Sequence, residues 1–212
     1  MKKRTTAAIM TTALFLSGCT TDGIAEATKN IKETEPIEEA IVTQLNRVTK
    51  QEKGLQEAFE ATLSKDKAEK PFSDKESTIF KNIDERKSSL EAIEASINEL
   101  DLKRKSLVEN DGTALPEKEI DSLTTSMKRI STSLNDYTKH YEKNLAEEEK
   151  YFQSLASEEA TYQTLTDGMT AINEQDATNK EQLKKLNEQF EQLRIQRKEA
   201  QEQLSSLSES KN

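Results

Sequence analysis

A seven-residue repeat of apolar side chains over residues 116–208 constrains the fold of this chain more than any other feature. The two core positions of the repeat begin with Ile120, Leu123, Met127, Ile130 and Leu134. After a polar stretch at 173–179 the same frame resumes and runs to Leu207. Sustained heptads are typical of helices that pack side by side in a left-handed supercoil. The repeat therefore predicts an all-α structure with coiled-coil-like packing.

Two earlier segments also carry apolar residues at helical spacing. In the first, at about 36–67, the stripe is Ile37, Ile41, Leu45, Val48, Leu55, Phe59 and Leu63. In the second, at about 73–109, it is Ile79, Ile83, Leu90, Ile93, Ile97, Leu100 and Leu107. Pro36 suits the first turn of a helix, and Ser73 to Glu76 match a capping box. The two segments predict two further helices, with a turn at Asn110-Asp111-Gly112 after the second.

The composition alone leaves the class of protein open, because 33% of residues are hydrophobic and 33% are charged. Disordered chains, coiled coils and thin helical bundles share this balance. The periodicity favours the bundle, and the small number of large apolar residues predicts a thin core without a deep apolar pocket.

The number of helices depends on whether the chain turns within the last segment. An unbroken helix over 116–208 would be ~140 Å long and would overhang the two earlier helices. We therefore expect a turn at 173–179, where Thr178 to Glu181 resemble a capping box, with Asp167-Gly168 as the second candidate. Short loops place neighbouring helices antiparallel. The prediction is an elongated up-and-down bundle of three to four long antiparallel helices over 36–208, with a disordered tail at 209–212.

The N-terminus has the build of a secretory signal. Lys2, Lys3 and Arg4 precede a mostly apolar stretch from Thr5 to Phe15. This stretch is too short to cross a hydrocarbon core of ~30 Å comfortably. A basic segment followed by a short apolar segment is typical of signal peptides. We expect residues 1–18 to be a lipoprotein signal peptide and residues 19–35 to be a lipid-anchored flexible tether.

The end of the apolar stretch, Leu16-Ser17-Gly18-Cys19, resembles the lipobox of bacterial lipoproteins. That resemblance implies cleavage before Cys19 and acylation of its thiol, for example by palmitate. Cys19 is the only cysteine of the chain, so an ordinary signal peptide with a chance cysteine is the less favoured alternative. Each buried methylene contributes ~0.8 kcal/mol, so several acyl chains would hold the protein firmly on the membrane.

The remaining sequence offers no recognisable catalytic, metal or cofactor site. The net charge of −9 argues against nucleic-acid binding and against simple electrostatic adhesion to an anionic polymer. The single histidine, His140, has Tyr137 three residues before it, so the Glu-x-x-His unit of bundle metal sites is missing. His140 is expected to be solvated or to lie at a groove edge. We expect no enzyme, no metal and no cofactor.

Three polar residues interrupt the heptad frame at core positions, namely Asn144, Glu148 and Glu158. The carboxylates around them, Glu147 to Glu149 and Glu158-Glu159, fit a solvated helix face. Alternatively the interruptions set the register of the helices or line a wet groove. Because an unpaired buried carboxylate costs energy, Glu148→Leu is expected to raise thermal stability.

Aromatic and basic side chains are the remaining candidates for a binding surface. The aromatic residues of one segment are Tyr137, Tyr141, Tyr151, Phe152 and Tyr162. The four tyrosines fall in the heptad frame, so core packing is favoured over stacking on sugar rings. The basic runs lie at Lys103 to Lys105, Lys184-Lys185 and Arg194 to Lys198. Charged outer faces of helices are the favoured interpretation, with local contact to an anionic wall polymer as the alternative.

The lipobox, the long acidic helical chain, the opening PIEEAI and the turn NDGTALPEKEI together resemble the YkyA-type lipoproteins of Gram-positive bacteria. The resemblance covers essentially the whole chain. It implies a four-helix up-and-down bundle, a Gram-positive cell surface and cell-wall binding, and it supplies no catalytic residues.

These observations predict a lipoprotein anchored on the extracytoplasmic face of the cell membrane through Cys19, without enzymatic activity. Its expected partner is peptidoglycan, another wall polymer or a wall-associated protein. The alternative is a coiled-coil structural or regulatory partner of an envelope complex, such as a hydrolase or transporter, reached through a helical face.

Overall fold

The computed structural model describes residues 19–65, 72–112 and 115–210. These residues form five helices: α1 (Cys19–Lys53), α2 (Leu55–Lys65), α3 (Thr78–Val108), α4 (Glu117–Ser154) and α5 (Tyr162–Glu209). No strand occurs in the described ranges. The all-α prediction is confirmed.

The helices α1 and α2 form one nearly continuous arm. Only Gly54 separates them, and its amide still donates to the Lys50 carbonyl at 3.2 Å. The Gly54 carbonyl accepts from the amide of Ala58 at 3.0 Å, so the helical path carries on into α2. The bundle therefore has four arms: α1–α2, α3, α4 and α5.

The four arms alternate in direction. At the far end of α1, the side-chain amide of Asn82 donates to the Gln51 carbonyl at 2.9 Å. At the other end of the bundle, the side-chain amide of Asn110 donates to the Gly23 carbonyl at 2.9 Å. The arm α3 therefore runs antiparallel to α1; α4 packs on α3, and α5 packs on both α4 and α1. The result is the predicted up-and-down bundle.

The predicted stripes supply most of the core. All seven stripe residues of α3, from Ile79 to Leu107, are buried, as are those of α1 from Ile37 to Val48. In α4 the heptad positions from Ile120 to Tyr141 are buried as well. Each fully buried Leu or Ile contributes about 1.5–3 kcal/mol, so these stripes hold the four arms together. In α2 the stripe is weaker, and Leu63 is exposed.

The expected tether at 19–35 is instead the beginning of α1, so that prediction is wrong. Ile24, Ala27 and Ile31 are buried in the core. The heptad spacing continues through Thr34 and Glu38, which are also buried. Pro36 lies inside α1 on its exposed side and not in a first turn.

The turn between the last two arms lies at 155–161 and not at 173–179, where the helix is unbroken. Thr161 caps α5: its hydroxyl accepts from the Thr164 amide at 3.1 Å, and the Thr161 amide donates to the Thr164 hydroxyl at 3.3 Å. This reciprocal pair satisfies free amides at the helix start. The fourth helix is confirmed, but neither predicted turn is used, and Gly168 lies within α5.

The start of the second predicted helix also differs. α3 begins at Thr78, so Ser73 to Glu76 precede the helix and do not cap it. Within that segment, a carboxylate oxygen of Asp74 accepts from the amide of Glu76 at 2.9 Å. The turn at Asn110 to Gly112 is present, since the Asn110 side chain accepts from the Gly112 amide at 3.0 Å.

Candidate functional site

A buried ion pair joins the two central arms of the bundle. Arg86 on α3 is 2% exposed, and Glu148 on α4 is 5% exposed. The guanidinium binds the carboxylate with both terminal nitrogens, and its Nη1 lies 3.0 Å from Oε2. Burial lowers the pKa of Arg86, but the charge and hydrogen bonds of Glu148, together with Tyr141, more than reverse this effect and leave that pKa raised. Arg86 is therefore held in its charged form.

This pairing overturns the expectation that Glu148→Leu is stabilising. That expectation required an unpaired carboxylate in the core. The partner lies 62 residues away on another helix, so the spacing within one helix could not show it. Arg86 was not singled out from the sequence, because it sits in the polar run Glu85-Arg86-Lys87.

Further hydrogen bonds next to the ion pair reach the other two arms. The Arg86 Nη1 also donates to the Tyr141 hydroxyl at 3.3 Å. Both Arg86 and Tyr141 lower the pKa of the carboxyl of Glu52 on α1. The same carboxyl accepts from the side-chain amide of Asn179 on α5 at 3.0 Å. Asn179 in turn accepts from Asn144 on α4 at 3.4 Å. We call these residues the polar network: Glu52, Arg86, Tyr141, Asn144, Glu148 and Asn179.

Glu52 is the member of the polar network without a cationic partner. It is half-buried, and burial raises the pKa of its carboxyl, while the hydrogen bond from Asn179 and the neighbouring Tyr141 oppose this rise. No Lys, Arg or His of the described ranges makes a salt bridge with Glu52. The cations that act on it, Arg86 and Lys180, do so at longer range than a salt bridge.

The polar network forms the floor of a groove of about 510 Å³ between the α1–α2 arm, α4 and α5. This volume lies within the range of ligand pockets in proteins. The apolar lining residues are Leu55, Phe59, Leu145, Tyr151, Phe152, Met169 and Ile172. Uncharged polar side chains at the groove are Gln56, Asn144, Asn173, Gln175 and Asn179. The groove therefore combines apolar walls with amide groups and the half-buried carboxylate of Glu52, which has no salt bridge.

An aromatic cluster supports the end of the groove. The ring of Phe152 lies 6.0 Å from that of Phe59 and 6.1 Å from that of Phe72. The Tyr151 ring lies 4.9 Å from Phe152 and packs on the backbone of α5. A Cβ atom at Gly168 would lie 2.0 Å from a carbon of the Tyr151 ring, so only glycine allows this approach. The Tyr151 hydroxyl donates to the Leu165 carbonyl at 3.1 Å.

Core packing is confirmed for Tyr137 and Tyr141, which are buried, and Phe152, outside the heptad frame, is buried as well. Tyr151 is half-buried and lines the groove. For Tyr162 the core assignment is wrong, since its side chain is 80% exposed at the first position of α5. The heptad frame continues through the turn at 155–161. Because the chain is not helical there, the frame does not predict which side chains are buried.

His140 lies beside the polar network and is not among the residues that line the groove. It is half-buried, and its Nδ1 lies 3.3 Å from the side-chain amide of Asn144. Within the described part of the chain, no group of three or more His, Cys, Asp or Glu side chains could hold a metal ion. Of the three polar interruptions, Asn144 and Glu148 belong to the polar network, whereas Glu158 lies in the exposed turn.

The basic runs lie mainly on outer faces of helices, where they form ion pairs. Arg104 pairs with Asp101 at 3.3 Å, and Lys198 lies 3.8 Å from Glu202. Arg197 differs, because its guanidinium is buried and binds the buried carboxylate of Glu38 on α1. Burial raises the pKa of Glu38 to about 7, although the charge of Arg197 opposes the rise.

The predicted lipobox lies at the border of the described residues. Leu16, Ser17 and Gly18 fall outside them, as does the predicted signal peptide, and Cys19 is the first residue of α1. None of the helices in the described ranges is long and apolar enough to cross a membrane.

Comparison with protein families gives one match, over residues 22–203, to the YkyA family, described as putative cell-wall binding lipoprotein. Neither the comparison with curated proteins nor that with solved structures gives a match. The family match covers the described bundle from the first turn of α1 almost to the end of α5. The chain therefore belongs to the YkyA family of lipoproteins.

Proposed function

We propose that this protein is an extracytoplasmic lipoprotein, held on the cell membrane by a lipid on Cys19, that binds the cell wall through its groove without catalysing a reaction. The lipobox-like end of the apolar segment and the family description support the lipid anchor and the wall partner. The observation that carries the proposal is the groove itself, which brings hydrogen-bonding side chains and apolar walls together.

The position of the groove fits this function. Glu52 lies near the end of α1, whose first residue is Cys19. At ~1.5 Å per residue, the helix carries Glu52 about 50 Å from the lipidated residue. A rod with a binding groove at this height reaches beyond the lipid headgroups and meets material of the wall.

The groove is suited to binding more than to chemistry. Glu148 binds Arg86 through both carboxylate oxygens, so it is poorly placed to exchange a proton with a substrate. The amides of Asn144 and Asn179 can donate and accept hydrogen bonds but do not act as acids, bases or nucleophiles. Their arrangement favours recognition of polar groups along a polymer.

Sedimentation with purified wall sacculi tests this proposal on the full-length protein in detergent. We expect the wild-type chain to sediment with the sacculi. Asn173→Trp fills the groove, and we expect it to lower the bound fraction at least fivefold. Asn187→Trp is the matched control, because Asn187 is exposed on α5 two heptads further on and does not line the groove. Complete recovery of the wild-type protein in the supernatant would exclude wall binding.

A second function, as a helical partner of another envelope protein, is favoured by the start of α5. Tyr162 and Met169 are exposed and lie one heptad apart. This face can accept an amphipathic helix of a partner. A photo-crosslinking residue at position 162 tests it in cells: a reproducible protein adduct supports the partner, and a chain that is never crosslinked to protein excludes it.

A further inference from the structure

The charges of the groove do not balance. Its lining includes four carboxylates and three cationic side chains. Arg86 pairs with Glu148, and Lys180 pairs with Asp176. Lys53 and Glu60 are exposed at the rim, where solvent screens them. The remaining charge is the half-buried carboxylate of Glu52, inside the groove.

The surroundings of Glu52 orient its carboxylate. The side-chain amide of Asn179 from α5 donates to its Oε1 at 3.0 Å. Arg86 and Tyr141, which are hydrogen-bonded to each other, also act on this carboxyl and favour its charged form. The carboxylate is thus held by a donor from another helix while it faces a space that a ligand can enter. A preorganised carboxylate of this kind forms strong charge-assisted hydrogen bonds with a cation.

We propose that the groove binds a short wall peptide with a free primary ammonium group, and that this ammonium pairs with Glu52. The inference rests on the proposed function and names the chemical class of its ligand. The ammonium would supply the missing positive charge and would donate to the carboxylate oxygen that Asn179 leaves free.

The other lining residues match a peptide. The side-chain amides of Asn144, Asn173 and Gln175 can each donate to and accept from peptide groups. Phe59, Leu145 and Ile172 provide apolar surface for short aliphatic side chains. An anionic ligand would be repelled by Glu52, and an uncharged glycan would leave that carboxylate unpaired in a partly dry site.

Calorimetric titration of the full-length protein in detergent tests the inference. The probe is a soluble muropeptide that carries a lysine with a free side-chain amine, and the comparison is the same muropeptide with that amine acetylated. We expect acetylation to weaken binding at least tenfold, because it removes the charge and leaves the rest of the ligand intact.

Two matched variants test whether Glu52 is the residue that binds the ammonium group. Glu52→Gln keeps the shape of the side chain and is expected to weaken binding of the free-amine probe at least tenfold, with little preference left between the two probes. Glu60→Gln removes a rim carboxylate of the same groove and is expected to change affinity less than twofold. Thermal unfolding of both variants shows whether the fold is kept.

The possible failures are distinct. Equal affinity for the free and acetylated probes, or full affinity in Glu52→Gln, overturns the role of the ammonium and leaves wall binding standing. Binding to sacculi without binding to either muropeptide overturns the peptide as ligand. If the protein binds neither sacculi nor muropeptides, the proposed function itself is wrong.

Discussion

Replacement of Glu148 by leucine tests how the buried ion pair contributes to stability. Glu148→Leu removes the only counter-charge at hydrogen-bonding distance from Arg86 among the residues that the structure describes. The Arg86 side chain is 2% exposed, so water cannot replace the lost carboxylate without opening the bundle. We therefore expect the variant to be less stable than the wild-type protein.

The magnitude follows from two opposing terms. Loss of one partner of a buried ion pair costs about 3–5 kcal/mol. Burial of a leucine side chain returns about 1.5–3 kcal/mol. We expect a net loss of about 2 kcal/mol. For a chain of this size, 1 kcal/mol corresponds to about 2–4 °C, so the melting temperature should fall by about 4–8 °C.

Circular dichroism during thermal and urea unfolding of the full-length chain in detergent measures this change. The double variant Arg86→Met with Glu148→Leu removes both charges, and we expect it to recover wild-type stability or exceed it. The control is Glu149→Gln, which breaks the neighbouring pair of Lys87 and Glu149 at 2.7 Å. This pair joins the same two helices but is more exposed, so its loss should cost less than about 1 kcal/mol.

Two results would refute this reasoning. If Glu148→Leu is as stable as the wild-type protein, the ion pair does not hold the core together. If the double variant is as unstable as the single one, the loss arises from poor packing of the new side chain and not from the unpaired guanidinium.

Three further predictions concern other parts of the molecule. Because burial raises the pKa of Glu38 to about 7 from its ordinary 4.5, its contribution to stability is largest below pH 4.5 and is lost as pH rises through 7. Between pH 5 and pH 8 the urea concentration at the unfolding midpoint should fall in the wild-type protein. In Glu38→Gln it should fall by less. Gly168→Ala should lower the melting temperature, because its Cβ displaces the Tyr151 ring at 2.0 Å, yet should raise it slightly in a Tyr151→Ala background, where only helix propensity changes. Cys19→Ser should release the protein from membranes and change its gel mobility, as fractionation and electrophoresis can show.

The apolar pattern of the sequence was sufficient to predict an up-and-down bundle of three to four helices and most of its core. Ile79 to Leu107 and Ile120 to Tyr141 are buried as their spacing indicates. The pattern failed where polar residues occupy core positions. Thr34 is buried although it is polar, and such polar residues made residues 19–35 resemble a tether. Ile24 and Ile31 lie at the same heptad position. This spacing was the signal in the sequence that the helix begins before Pro36.

The turn at 155–161 shows a second limit of the pattern. The heptad frame passes through it without a break, and no proline or glycine marks it. Thr161 and Thr164 form its capping box, in which a threonine replaces the usual glutamate. The polar stretch at 173–179 looked like a turn because its side chains face solvent or the groove. Asn179 is buried there only because Glu52 and Asn144 lie opposite it on other helices.

The polar network explains why the groove lies where it does. A heptad repeat alone permits neighbouring helices to slip by seven residues with little change in apolar contact. A slip of α4 by one heptad would put Tyr141 or Leu155 in the place of Glu148, and the buried Arg86 would lose its counter-charge. That loss costs about 3–5 kcal/mol, so the ion pair favours a single alignment of the arms. The same polar side chains cannot pack as closely as the apolar residues that they replace. Residues that fix the register therefore also open the bundle at this level, and they leave Glu52 facing the opening.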